Sequence, residues 1–491
     1  MPFDERYRPD PVFTQLDEGF CDPVEPAEFP RRTPRFFNEP WAARVGLGGL
    51  DAAERERHFA RLQPLPDNLP RALALRYHGH QFGSYNPQLG DGRGFLLAQL
   101  RDPLDGRLLD LATKGSGRTP WSRGGDGRLT LKGAVREVFA TEMLEALGVN
   151  TSKTFSVYET GEQLMRGDEP SPTRSAVLVR LGHSHVRFGS FQRHAHRGDT
   201  ARLKRLVEFA VEHYAPGVAG EDDLPAALLK EVTLRSAELC ASWMVAGFVH
   251  GVLNTDNMNV TGESFDYGPY RFLPSYDPGF TAAYFDHSGL YAFGRQPQAV
   301  HWNLTRLAEA LLPLSTESAL QRSLDEYELA LMGAVHRRFL DRLGLASRGA
   351  DEDEALVDEA YAFMRESGVG YDRFFFDWYG GKASEKRAMQ GPVAALYGRE
   401  SFAAVRRRLE GYRPTRVEAL ETAYFQGDAP CGMLIDEIEA LWDGIAERDD
   451  WSGFEAKVAA VRAMGSSLHH VAAGERRDGV RHPGDPVGVV R

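Results

Sequence analysis

Apolar positions along this chain change their spacing near residue 199. Before that point they come in short runs, alternating or continuous, broken by glycine, proline and aspartate, which is the patterning of strands and turns. Segments 94–100 and 107–114 read as an antiparallel pair joined by a turn at 103–106, and 151–159 and 175–181 read as further strands. One stretch departs from this: 131–147 is rich in strong helix formers and stops at Gly148, so a helix is predicted there. Beyond 199, apolar residues recur at three- and four-residue intervals. Helices are predicted over 199–213, 223–248, 302–312, 317–343, 351–366 and 434–447. Residues 1–70 follow neither rule. Prolines such as Pro9, Pro23, Pro30 and Pro40, set among Phe36, Phe37 and Trp41, predict an extended arm wrapped on a core, with one short helix near 51–62. The polar tail at 473–491 carries Pro483 and Pro486 and is predicted to be unstructured. The whole is an α+β chain, strand-rich first and helical second.

Size and charge narrow the partners. The chain has 491 residues, 42% of them hydrophobic and 26% charged, enough to bury the cores of two lobes. A net charge of −12 argues against a general nucleic-acid or anionic-membrane binder, which needs a basic surface. Cys21, Cys240 and Cys431 stand far apart with no CxxC spacing, which fits a reducing compartment and no zinc or disulfide framework. No basic, apolar leader opens the sequence, and no run approaches the ~18 apolar residues of a membrane span. A cytoplasmic location, without nucleic acid or membrane, is expected.

The candidate chemistry centres on 250–268. His250-Gly251-Val252-Leu253-Asn254-Thr255-Asp256-Asn257 is followed by Asp266-Tyr267-Gly268, the order of a kinase catalytic loop and its metal-binding Asp-Phe-Gly triplet. Asn257 and Asp266 stand where metal ligands belong. Val252 replaces the Asp that small-molecule kinases often carry, so Asp256 is the nearest carboxylate able to act as a base.

Upstream, Gly90-Asp91-Gly92-Arg93-Gly94 opens a strand, and its glycines let backbone N–H groups approach phosphate. Lys114 ends the next strand, where a lysine reaches phosphate and is held by a glutamate on the following helix. Two glutamates compete. On a helical wheel Glu142 falls amid Val135, Val138, Phe139 and Ala146, and a buried Glu needs a cation, so pattern favours it over Glu137. Arg118, Arg123 and Arg128, among glycines and Asp126-Gly127, form a basic loop suited to polyphosphate, and Arg180 and Arg187 add forked donors. The pairs His78/His80, His183/His185 and His194/His196 lack the i, i+4 spacing of a zinc helix and read as turn and capping residues. Strands with one long helix, then helices holding a metal loop, is the two-lobed order of a protein kinase. The divisions expected are an arm at 1–70, a nucleotide-binding N-lobe at 71–198, a helical C-lobe at 199–472 and a flexible tail at 473–491.

Taken together, these segments resemble the selenoprotein O family of protein adenylyltransferases. The resemblance rests on His78-Gly79-His80-Gln81-Phe82-Gly83 with Leu89 to Arg93, Lys114-Gly115-Ser116-Gly117-Arg118-Thr119-Pro120, Asp126-Gly127-Arg128, Arg136-Glu137, Ser184 to Gly189, His250 to Met258 and Asp266 to Tyr270. It covers roughly residues 30–310. It implies a kinase-like enzyme that binds ATP flipped relative to kinases, moves AMP to protein hydroxyls (Ser, Thr or Tyr) and releases pyrophosphate. By the same resemblance Gly90, Gly92, Arg93, Lys114, Asp126, Gly127, Arg180 and Arg187 contact nucleotide, and Asn257 and Asp266 hold magnesium, manganese being equally suited to oxygen donors. Asp256 would accept the hydroxyl proton, and Glu137, against the wheel, would pair with Lys114. Two departures stand out. No cysteine follows Cys431, so the C-terminal thiol of many members is absent, and the last ~120 residues lack the family's Asn-Pro…Arg-Asn-Tyr-Leu segment. A phosphotransferase and a non-catalytic nucleotide-binding module are the rival readings. Val252 counts against the first, and joint retention of Asp256, Asn257 and Asp266 against the second.

Overall fold

The computed structural model describes residues 3–167 and 169–469, so the tail predicted at 473–491 lies outside the described residues. The protein is mixed α and β, built on an eight-stranded antiparallel sheet. Its order is Cys21–Val24, Ala72–Leu75, Leu96–Arg101, Leu108–Lys114, Thr173–Gly182, Lys153–Leu164 and Thr33–Phe37. The short strand Leu129–Thr130 pairs with Thr173–Gly182.

Every residue of Leu108–Lys114 is buried, because both faces of the sheet are covered. Alternate side chains sort to opposite faces. Leu108, Leu178 and Val157 pack with Val135, Val138 and Phe139 of the helix Leu131–Ala146. Leu109, Leu111, Val177 and Val179 pack instead with Trp41, Leu47, Leu50 and Phe59. The first 70 residues thus do more than wrap as an arm. They supply both edge strands and cover one face through the helices Glu39–Arg44 and Ala52–Phe59. Alternation there was hidden by prolines that edge strands tolerate.

The helix Leu131–Ala146 starts where Thr130 Oγ1 caps Gly133 N at 3.1 Å and stops before Gly148, at φ +83°. It is apolar on two sides because the helix Ser452–His469 packs on its outer face. Phe454 meets Phe139 with ring centroids 5.2 Å apart, and a Cβ on Gly465 would lie 3.1 Å from the Ala146 backbone. Arg462 completes this seam with a forked pair to Glu142, at 2.7 and 2.6 Å. Burial pushes the Glu142 carboxyl up and Arg462 opposes that. Replacing Arg462 with methionine therefore strands a buried carboxylate and should cost on the order of 3 kcal/mol. A carboxyl whose pKa is raised on folding binds its proton more tightly folded than unfolded. The loss should accordingly be larger at pH 8 than at pH 5, as unfolding curves at both pH values would record. An equal loss at both would show that Glu142 carries no charge there.

Most predicted helices are present, some with changed bounds. The stretch 317–343 is two helices, Glu317–Asp325 and Tyr327–Leu343, and Gln296–Leu311 starts before the expected 302. The helix Phe188–His196, absent from the predicted elements, follows directly on Arg187. Leu224–Ala246 ends at Gly247, in the left-handed region at φ +68°. The chain then enters Phe248–Val249, which pairs with Arg271–Phe272 and brackets the loop between them. No helix among the described residues is long and apolar enough to cross a membrane.

Candidate active site

Lys114 and Arg180 come from neighbouring strands whose register pairs Leu178 with Lys114 and Arg180 with Ala112. Both side chains therefore leave the same face of the sheet. Lys114 Nζ pairs with Glu137 and donates to Asp266 Oδ1 at 2.6 Å, and Arg180 Nη1 lies 3.5 Å from the same oxygen. Lys114 is thus held by Glu137, while Glu142 is taken by Arg462. The wheel's preference is corrected because it could not see the helix covering the far side.

Arg180 is itself aimed. Its Nε donates to His185 Nε2 at 3.1 Å, which leaves the His185 proton on Nδ1, 3.2 Å from Asp110 Oδ2. Gln99 Nε2 donates to the other Asp110 oxygen at 2.8 Å. Burial lowers the His185 pKa, against the pull of Asp110, so the ring stays neutral and accepts from the guanidinium.

Asp266 sits at φ +65° and is pinned from both sides. His250 Nε2 donates to Phe265 O at 3.1 Å, the Tyr267 hydroxyl bonds Thr151, and Arg136 Nη2 donates to Gly268 O at 3.3 Å and Tyr270 O at 3.0 Å. Burial alone would raise the Asp266 pKa. The Lys114, Arg180 and Arg187 cations outweigh it and hold the carboxylate well below its ordinary range.

Arg187 links the second half of the site. Nη2 donates to Asp91 Oδ1 at 3.2 Å and Nη1 to Asp256 O at 3.0 Å, while the guanidinium lies 4.5 Å from the Tyr77 ring centroid and 5.0 Å from that of Phe265. Asp256 is buried and its Oδ1 has no hydrogen-bond partner. Burial, opposed by Arg187, pushes its pKa up to about 6. Asn257 Nδ2 donates to Val252 O at 2.9 Å, leaving the amide oxygen as its remaining polar atom.

A hairpin absent from the predicted elements, Gly79–Gln81 with Ser84–Asn86, lies against this loop. His80 N donates to Thr255 Oγ1 at 2.7 Å and Phe82 N to Asn254 Oδ1 at 3.1 Å. A Cβ on Gly79 would come 2.9 Å from Thr255 Oγ1, which explains the glycine between two histidines. His78 Nδ1 bonds the Tyr85 hydroxyl at 2.8 Å and His80 Nδ1 pairs with the Gln192 amide at 2.9 Å. His194 and His196, expected in turns, stand on the helix Phe188–His196.

The glycine-rich stretch has a packing role that sequence did not show. A Cβ on Gly90 would meet the Trp121 ring at 2.4 Å, and one on Gly92 the Trp121 carbonyl at 2.9 Å. Gly127, at φ +70°, lies where a Cβ would meet Gly117 backbone at 2.2 Å. These contacts fold the 114–128 loop onto 90–94. Asp126 binds Arg166 at 2.8 and 3.1 Å, and Arg128 pairs with Glu162 at 2.9 Å. Both are engaged in the loop's own structure, whereas Arg93, Arg118 and Arg123 are exposed. Asp91, Asp110 and Arg136, which received no role from sequence, and His185, read there as a turn or capping residue, position the charged groups. An acid between glycines, in a stretch read as approaching phosphate, was the available signal for Asp91.

Comparison with known proteins extends the likeness past the segments quoted above. A family profile described as "Protein adenylyltransferase SelO" matches residues 5–462. A "Protein nucleotidyltransferase YdiU" of Trichormus variabilis is 40% identical over 471 residues, covering 93% of this chain and 96% of the relative. Proteins of the same name from Synechocystis sp. and Gloeobacter violaceus are 41% and 42% identical, covering 92% of this chain and 98% and 94% of their own lengths. The similarity therefore reaches well into the C-terminal region that the motifs left outside it. On a match of this extent, joined to relatives at these identities, the chain belongs to the protein adenylyltransferase SelO family, a family of nucleotidyltransferase enzymes.

Proposed function

We propose that this protein transfers AMP from ATP to Ser, Thr or Tyr hydroxyls of other proteins, with a divalent cation, and that it does so in a kinase-like, two-lobed frame. The observation carrying this reading is the meeting of Lys114, Arg180 and Asp266 at one carboxylate oxygen, with Asp256 beside it holding an unpartnered oxygen. The sheet brings the cations, the helical half brings the carboxylates, and the charge balance suits a polyphosphate entering between them.

The donor set fits a hard cation. Asp266 and the Asn257 amide oxygen are both oxygen donors, as magnesium or manganese prefers. Among the described residues no three His, Cys, Asp or Glu side chains converge. Nucleotide oxygens or water would complete the shell, the usual arrangement for magnesium. When bound, the ion would draw negative charge from the phosphates.

The residues then divide the work. Asp256 takes the proton of the acceptor hydroxyl. The hydroxyl oxygen forms a bond to the α-phosphorus as the bond from that phosphorus to the α,β-bridging oxygen breaks, and pyrophosphate leaves. Lys114, held by Glu137, and Arg180, aimed by His185, oppose the charge that builds on the departing group. Arg187 keeps the Asp256 backbone in place. Arg93, with Gly90, Gly92, Asp126 and Gly127, contributes to nucleotide binding through the loop pair folded around Trp121.

Incubation with a mixed acceptor such as casein, using ATP labelled at the α or the γ phosphorus, tests this. Covalent α-label is expected. Label from the γ position alone would make the protein a kinase, and incorporation from neither would leave it a nucleotide binder.

A further inference from the structure

Beside Asp256 the surface carries a cluster of apolar side chains with no role in nucleotide chemistry. Phe82, Tyr284, Phe285 and Leu290 are 42%, 74%, 42% and 38% exposed. The three aromatics touch, Phe82 and Phe285 with ring centroids 5.8 Å apart and Tyr284 and Phe285 5.1 Å, and Phe82 also meets the buried Tyr291, next to Leu290 in the chain, at 5.2 Å. The cluster is fastened to the catalytic loop through one atom. Asn254 Oδ1 accepts from Phe82 N at 3.1 Å and from the Tyr291 hydroxyl at 2.8 Å, two residues before Asp256. Asp286 keeps the second half in shape, accepting from Leu290 N and Tyr291 N, each at 2.8 Å.

Phe82 adds an independent sign of use. It stands at φ +49°, a conformation costly for a bulky residue, although Gly83 follows it in the same turn. A glycine or asparagine would serve that backbone better, yet a phenylalanine is held there with its ring substantially exposed.

We infer that Phe82, Tyr284, Phe285 and Leu290 form the docking surface for the acceptor protein, seating large apolar side chains that flank its reactive hydroxyl. The inference rests on the activity proposed above and names a feature of its substrate. Three features select this occupant. The cluster adjoins the residue assigned to take the hydroxyl proton, so a segment seated on it delivers its hydroxyl there. Its four partly exposed side chains fall far short of the about 20–30 residues a side of a stable dimer interface and suit a transient peptide contact. The chain's own residues 470–491 contain no aromatic residue, leucine, isoleucine or methionine to fill it.

The test uses the full-length enzyme, α-labelled ATP and synthetic peptides with one central Ser, Thr or Tyr, flanked at successive positions by either Leu/Phe or Gln/Ser. Three variants accompany it: Phe82→Asn, which keeps a residue at ease in the left-handed region, Tyr284→Ser with Phe285→Ser, and a chain ending at His469. The wild type should label apolar-flanked peptides about tenfold better in kcat/KM, the scale of one large side chain buried. The aromatic variants should lose that preference while keeping the KM for ATP and the slow release of labelled AMP to water. Equal labelling of both peptide sets, or a preference that survives in the variants, overturns the inference while leaving AMP transfer standing. So does an apolar preference that appears only after truncation, which would assign the surface to the tail, or a change of oligomeric state in the variants, which would assign it to a second copy. Failure of α-label to reach any acceptor or water strikes the proposed activity instead.

Discussion

Replacing Asp266 with asparagine should lower AMP transfer at least about a thousandfold, the scale on which a preorganised charge at a phosphoryl site acts. Asparagine is the informative substitution. Asp266 sits at φ +65°, which asparagine tolerates and alanine does not, so the change removes charge without adding backbone strain. That carboxylate answers Lys114 at 2.6 Å and Arg180 at 3.5 Å. Lys114 keeps Glu137 in the variant, so the fold should survive even though Arg180 loses a partner. The expected signature is a folded protein whose transfer no longer responds to magnesium. Circular dichroism would report the first, and a magnesium titration of α-label transfer the second. Full, magnesium-responsive activity in the variant would remove Asp266 from the metal site.

Asp256→Asn should reduce kcat by roughly 10²- to 10⁴-fold, the ordinary contribution of a positioned base. ATP affinity should be little changed, because Arg187 grips the Asp256 main-chain carbonyl and not its side chain. The same substitution should leave thermal stability unchanged or raised. Its Oδ1 is buried without a partner, and burial pushes the carboxyl up to about 6, so at neutral pH the native protein carries an uncompensated cost there. Single-turnover transfer, ATP binding isotherms and thermal unfolding together separate this from a structural role. A variant within tenfold of wild-type kcat would exclude Asp256 as the base.

These two residues were legible in sequence because the loop is local. Asp256, Asn257 and Asp266 fall within 11 residues, and their order carries the chemistry wherever the loop is placed. Lys114 was legible for a related reason, since a lysine ending a strand before a helix leaves few places for its head to go. Glu137 was not decided by periodicity. The helix that bears it is buried on two sides, so a wheel finds two inward faces and cannot say which one meets the cation. The glycines of 90–94 were recognised as special for one reason, phosphate approach, while Trp121 accounts for Gly90 and Gly92 through packing alone.

What the order of residues determined by itself is the α+β alternation, the strands and the helix that carry Lys114 and Glu137, and a loop whose carboxylates and amide are spaced for a hard cation. Backbone periodicity and short-range spacing encode these, because each depends on residues a few positions apart. Tertiary structure alone decided that Glu142 belongs to Arg462, that Arg187 joins Asp91 to the Asp256 backbone 165 residues away in sequence, and that the 79–86 hairpin lies on the catalytic loop. Each of those pairings brings together groups from distant elements, so it depends on how whole surfaces stack, which no local pattern records.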